Sequence, residues 1–125
     1  MDTKFYICKG CGNIIRIVKK GTCTPKCCGQ PMEELIPNSA DASKEKHIPA
    51  ININGKNVEI NVGAAAHPMT DEHLIEWIYL ETEKGGQIKY LTAADAPKAS
   101  FVLTDDKATA AYAYCNLHGL WKAEI

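Results

Sequence analysis

Five of the six cysteines fall between Cys8 and Cys28, in a stretch rich in glycine. That crowding constrains the chain more than any other feature. Residues 1–36 are too few to bury the apolar surface that an independent fold needs. Something must cross-link them. The opening "MDTKFYICKGCGN" has no apolar segment followed by a small-residue cleavage site, so a cytoplasmic protein with reduced thiols is expected. The cross-link is then a metal rather than a disulfide framework. Cys8-Lys9-Gly10-Cys11 is a C-x-x-C loop whose glycine lets two thiolates face one centre. "CTPKCCGQP" adds Cys23, Cys27 and Cys28. Four thiolates close a tetrahedral site for zinc or iron, and the metal would supply much of the folding free energy. Spacing leaves the ligand set open. It is Cys8, Cys11, Cys27 and Cys28, or a set in which Cys23 replaces one of the adjacent pair. Cys23 and Cys27 have an ordinary C-x-x-x-C spacing, whereas neighbouring cysteines reach one metal only at a distorted angle.

Composition changes near residue 37. "PNSADASKEK" reads as a polar linker, and the remainder reads as β-structure. "AININGKNVEINV" alternates apolar and polar residues on both sides of Asn54-Gly55, a strong hairpin signal. Gly85-Gly86 separates "LIEWIYLE" from "QIKYL" and predicts a second hairpin. "ASFVLT", "TAAYAY" and "LWKAE" complete about seven short strands, with a turn at Asp105-Asp106. An antiparallel sandwich or barrel follows. The formal net charge is −1 and no basic stripe is present, so nucleic acid is not an expected partner. No apolar run is long enough to span a membrane as a helix.

All four histidines, His47, His67, His73 and His118, lie in the second part, each where a loop is expected. Cys115 stands in C-x-x-H spacing with His118. A lone histidine is usually a surface or core residue. Four on the loops of one small domain, beside a distant cysteine, make a mononuclear metal site. Neutral imidazoles suit iron, copper, nickel and zinc. Five ligands exceed the usual four of zinc, while iron accepts five and keeps a sixth position open. A thiolate opposite that position would donate electron density to its occupant. Otherwise Cys115 is a small buried hydrophobe.

These residues also carry a likeness. "CKGCGNI", "CCGQPM", "EKHIP", "HPMTDEHLIEWI" and "YCNLHGLWKAEI" resemble the two-iron superoxide reductases called desulfoferrodoxins, over essentially the whole chain. The resemblance implies a mostly β protein. Residues 1–36 would form a desulforedoxin-like domain with a tetrathiolate iron, and residues 37–125 an immunoglobulin-like antiparallel β-sandwich. It favours Cys8, Cys11, Cys27 and Cys28 as ligands of the first iron, and gives Cys23 no role. It implies His47, His67, His73 and His118 as equatorial ligands and Cys115 as axial ligand of the second. The implied reaction is one-electron reduction of superoxide to hydrogen peroxide, with electrons from a rubredoxin-like donor. Lys46 would steer the anion, and Glu45 resembles the carboxylate that occupies the sixth position of the resting iron. A homodimer is implied, and zinc is the competing occupant of the first site.

Three rival readings remain at this level. One is a zinc ribbon joined to a β-sandwich binding module, whose histidines would tolerate substitution. Another is a different non-haem iron enzyme, which would use fewer protein ligands. The third is a pure electron carrier, which would lack an open position.

Overall fold

In a computed structural model, which describes residues 3–125, the chain divides into two compact units, Met1–Ile36 and Pro37–Ile125. Residues 1 and 2 of the expected first domain lie outside the described residues.

The first unit consists of short strands and turns. β1 (Phe5–Ile7) pairs antiparallel with both β2 (Ile14–Arg16) and β5 (Glu33–Glu34), while β3 (Lys26–Cys27) pairs with β4 (Gln30–Pro31). Its described core is slight: the buried apolar side chains are Phe5, Cys8 and Met32. The β3–β4 turn is Cys28-Gly29, with both residues at positive φ (53° and 73°). A two-residue hairpin of this kind needs the left-handed region at both central positions. Cys28 thus sits on the reversal itself, and this is how adjacent cysteines come to face one centre.

The second unit begins with α1 (Lys44–His47), followed by β6 (Pro49–Asn54), β7 (Asn57–Val62), β8 (Ile75–Thr82), β9 (Gly85–Tyr90), β10 (Lys98–Val102), β11 (Ala108–Cys115) and β12 (Gly119–Glu124). They form two antiparallel sheets, ordered β10-β7-β6 and β12-β11-β8-β9. The first, second and fifth of these seven strands share one sheet; the other four share the second. This is the strand exchange of an immunoglobulin-like sandwich. Alternation explains the packing. Val58, Ile60 and Val62 of β7, Ala99 and Phe101 of β10, Ile78 and Leu80 of β8, and Ala111, Ala113 and Cys115 of β11 form one buried cluster. On the other face of the four-stranded sheet, Trp77 stacks on Tyr114 with centroids 5.6 Å apart, and Tyr79 meets Tyr112 edge-on at 6.1 Å.

Three expectations change. The polar run after residue 37 is not a free linker. Asn38 bonds along β12: its amide donates to the Leu120 carbonyl (3.0 Å), its Nδ2 to the Lys122 carbonyl (3.1 Å), and its Oδ1 accepts from the Lys122 amide (2.8 Å). β12 ends its sheet, so its outer edge needs such partners. The same run also forms α1, capped by Ser43, whose hydroxyl accepts from the Lys46 amide (3.4 Å). His47 therefore ends a helical turn rather than lying in a loop. Finally, the β8–β9 turn is Glu83-Lys84, and the glycines open β9. Gly86 is needed because a Cβ there would collide with the Tyr79 hydroxyl.

Candidate metal centres

In the first unit the sulfurs of Cys8, Cys11, Cys27 and Cys28 all lie within 4.8 Å of one another. Cys23 is exposed and outside this group; its sulfur is 3.8 Å from the Thr22 hydroxyl. The 8–13 loop is tied by the Cys8 amide to the Asn13 carbonyl and by the Gly12 amide to the Cys8 carbonyl, both 2.8 Å. A Cβ at Gly10 would stand 3.3 Å from the Cβ of Cys28, tighter than ordinary contact, so glycine eases the close approach of the two cysteine-bearing loops. Hydrogen bonding from the Cys11 amide lowers the Cys8 thiol to about 7. Cys28 is pushed up to about 12, first by Cys11 and then by Cys8 and Cys27. Cys27 is raised as well, chiefly by Cys8. One thiolate forms readily and opposes the next, so four thiolates require a cation at their centre. The donor set fits a tetrahedral thiophilic metal.

The second centre lies at one end of the sandwich. On β11 the inward series Ala111, Ala113, Cys115 ends at that edge, where a register shift between Tyr114 and Cys115 re-aims the strand. The β11–β12 hairpin has three connecting residues, and Gly119 takes φ 80°. This turn carries His118 back over the sulfur: His118 Nδ1 is 3.9 Å from Cys115 Sγ, and the His118 amide donates to that sulfur (3.4 Å). The β7–β8 connection carries His67 and His73. Asn116 clamps it, accepting from the Leu74 amide (3.0 Å) and donating to the Glu72 carbonyl (2.9 Å). α1 brings His47.

The four imidazoles form a closed circuit. Centroid separations are 4.6 Å for His47–His67, 4.6 Å for His67–His73, 5.2 Å for His73–His118 and 4.9 Å for His118–His47. Each successive pair meets edge-on, at 75° to 85°, and the diagonal His47–His73 is 6.4 Å. Donor atoms of His47, His67, His73 and Cys115 lie within 4.8 Å of one another. His118 lies outside that group but places Nδ1 3.1 Å from His47 Nε2.

Proton placement tests the fit. His47 Nδ1 is 2.6 Å from the Ser43 carbonyl and His67 Nδ1 is 2.6 Å from the Pro68 carbonyl. A carbonyl only accepts, so both protons are on Nδ1. The two Nε2 atoms then face each other with bare lone pairs at 3.2 Å. His73 Nε2 is buried without a hydrogen-bond partner. Further protons are resisted: burial lowers His47 and His73 and pushes His67 down to about 4, and the neighbouring rings add to this. The ammonium of Lys46 lowers His47 and His73 too, which places its charge within electrostatic reach of the ring. Burial raises the Cys115 thiol, while the amides of Leu117 and His118 pull it down. Converging lone pairs, resistance to protonation and a buried sulfur with two amide donors fit a bound cation. Glu45 and Lys46 are exposed on α1 beside this ring.

Sequence reasoning missed the residues that hold the ring. Ser43 and Pro68 fix tautomers through backbone oxygens, which no side-chain pattern reveals. Gly63 lets the β7–β8 connection touch α1, since a Cβ there would lie 2.5 Å from the Glu45 carbonyl oxygen. Trp121 is fully buried and stacks on His47 (4.8 Å, 27°).

Fold and donors together define a class: a two-site metalloprotein with a small tetrathiolate unit and a sandwich bearing an imidazole–thiolate pocket. Comparison with known proteins agrees. The desulfoferrodoxin family model matches residues 39–124, and that of the desulfoferrodoxin N-terminal domain matches residues 2–35. The desulfoferrodoxin of Nitratidesulfovibrio vulgaris is 42% identical over 121 residues, 97% of this chain and 95% of the relative. The superoxide reductase of Treponema pallidum superposes with a TM-score of 0.84 at 36% identity, covering 99% of this chain and all of that one. The one-iron superoxide reductase of Giardia intestinalis gives 0.57 at 36% identity, covering 66% of this chain and 98% of its own. The chain belongs to the desulfoferrodoxin family, whose two donor clusters fit two iron sites. Among the described residues, no helix is long and apolar enough to cross a membrane.

Proposed function

We propose that this protein is a superoxide reductase, reducing superoxide with one electron and two protons to hydrogen peroxide. The observation that carries the reading is the closed ring of four imidazoles with the buried Cys115 sulfur beside it, within 4.8 Å of the donor atoms of His47, His67 and His73. His47, His67, His73, His118 and Cys115 would hold the reactive iron, which supplies the one-electron chemistry. Residues 37–125 would form this reductase domain. Residues 1–36 would form the desulforedoxin-like domain, in which Cys8, Cys11, Cys27 and Cys28 hold a relay iron with no free position for substrate. Zinc would be a misloaded occupant there.

The chain's own groups have distinct tasks. Neutral imidazoles would leave the charge of a bound iron largely uncancelled, and Lys46 adds charge that attracts a small anion. Its ammonium also holds water for proton delivery. Burial raises the Cys115 thiol and the amides of Leu117 and His118 oppose this; with iron bound, Cys115 would be held as an electron-donating thiolate, on a site whose His73 and His118 are only half-buried. Such donation would favour protonation and release of product over cleavage of its O–O bond. Glu45, exposed on α1, would supply a carboxylate able to shield the bound iron from solvent in the resting protein. A rubredoxin-like donor supplies electrons to a cytoplasmic homodimer. Residues 1–36 carry six Lys or Arg against three Asp or Glu, whereas residues 37–125 carry eight against twelve, so an acidic carrier would favour the first unit.

The test is peroxide formed per superoxide consumed, with iron-loaded protein and reduced rubredoxin. A ratio near one, with matching donor oxidation, supports reduction. The half-yield of dismutation without donor oxidation refutes it.

A further inference from the structure

We propose that Trp121 is a positioning residue for the second centre, fixing the plane of the His47 ring and anchoring the backbone that carries His118. This rests on the reading that the imidazole ring holds a metal. Trp121 acts through two contacts. Its indole lies under His47, centroids 4.8 Å apart and planes 27° from parallel. Its Nε1–H donates to the His118 carbonyl (3.2 Å). His47 and His118 come from distant segments, are neighbours in the ring, and approach within 3.1 Å. One side chain thus joins α1 to the β11–β12 hairpin where their donors converge.

The indole is itself held in place. Trp121 is fully buried and lies opposite Ala113, whose small side chain leaves it room. Asn38 grips both flanking residues, through the Leu120 carbonyl and through the amide and carbonyl of Lys122. The outer edge of β12 cannot swing at that point, so the indole keeps its angle. His47 is then fixed in two ways: the Ser43 carbonyl sets its tautomer and the indole sets its plane. Imidazole–metal overlap depends on that plane, and partners of this kind typically change metal retention by about 10- to 100-fold.

The test uses iron-loaded full-length protein and two variants, Trp121→Leu and Trp121→Phe. Leucine removes both the stack and the donor; phenylalanine keeps a ring but loses the N–H. Two readouts are followed: the ferric electron paramagnetic resonance line shape of the second site, and the rate of metal release to a chelator. The first site serves as internal control. Trp121→Leu is expected to release second-site metal roughly 10- to 100-fold faster with a changed line shape. Trp121→Phe should show a smaller change of the same kind, with first-site release unaltered in both. Because leucine leaves a cavity that could prevent folding, the phenylalanine variant alone suffices as a test. Parental line shape and parental metal release in either folded variant overturn the proposal, even if the melting temperature falls. A parent protein that binds no metal at the histidines would instead refute the functional reading on which this rests.

Discussion

The two donor clusters reach convergence by opposite routes. In the first unit the turns and their flanking residues carry the cysteines, and among the described residues little is buried beside Phe5, Cys8 and Met32. In the second, a sandwich core exists without the donors: Ile60, Ile75, Ile78, Leu80 and Ala113 are fully buried, and the histidines lie on the segments above it. Metal should be the scaffold of the first and a guest of the second. Exposure differs likewise. Cys11 and Cys28 are open to solvent, which suits a centre that passes electrons, while Cys115 is fully buried, which suits a thiolate kept from oxidants.

Substitutions can break this contrast. The largest effect is expected from Cys115→Ser. Loss of the thiolate should lower reductase activity by at least about 100-fold, since even outer partners of a metal act on that scale. The first site's visible spectrum should be unchanged. Next comes Cys28→Ser. Structural metals in small units contribute on the order of 10 kcal/mol, so the first unit should lose its metal and its protection in hydrogen exchange. Superoxide consumption by chemically reduced protein should persist. If it collapses, the units are not separable. Lys46→Ala should slow the bimolecular reaction with superoxide by about tenfold at low ionic strength and flatten its salt dependence, measured by pulse radiolysis. Gly63→Ala should cost about 1–3 kcal/mol in denaturant unfolding of the second unit, because its methyl meets the Glu45 carbonyl and the α1 backbone. Cys23→Ser should leave the metal content of both sites unchanged, as judged by elemental analysis.

Much of the fold was legible because it is local. Alternation in "NVEINV" and "ASFVLT" marks strands whose every second side chain is buried, while the same alternation in "AININ" marks a strand with Ile51 only partly buried and Ile53 exposed. The Gly55 turn was readable because φ of 62° at that position suits glycine. The histidines and Cys115 could be singled out by residue type and by likeness. What holds them could not. Trp121 reads as one more strand aromatic, and its contact with His47 spans 74 positions of sequence. Asn38 reads as a linker residue because its partners on β12 lie 84 residues away. Gly85-Gly86 misled for a related reason, since Tyr79 across the hairpin, not the turn, demands Gly86. Spacing also left the cysteine set open: Cys28 converges with Cys27 through a left-handed backbone that non-glycine residues rarely adopt.

The division of labour itself is tested most directly by mixing fully reduced, iron-loaded protein with a substoichiometric pulse of superoxide, while following the absorbance of each centre separately. The account predicts that the second centre oxidises in step with superoxide loss, at the same rate in Cys28→Ser, and that the first centre follows later or stays reduced. Oxidation of the first centre in step with superoxide loss, with the second silent, would contradict it.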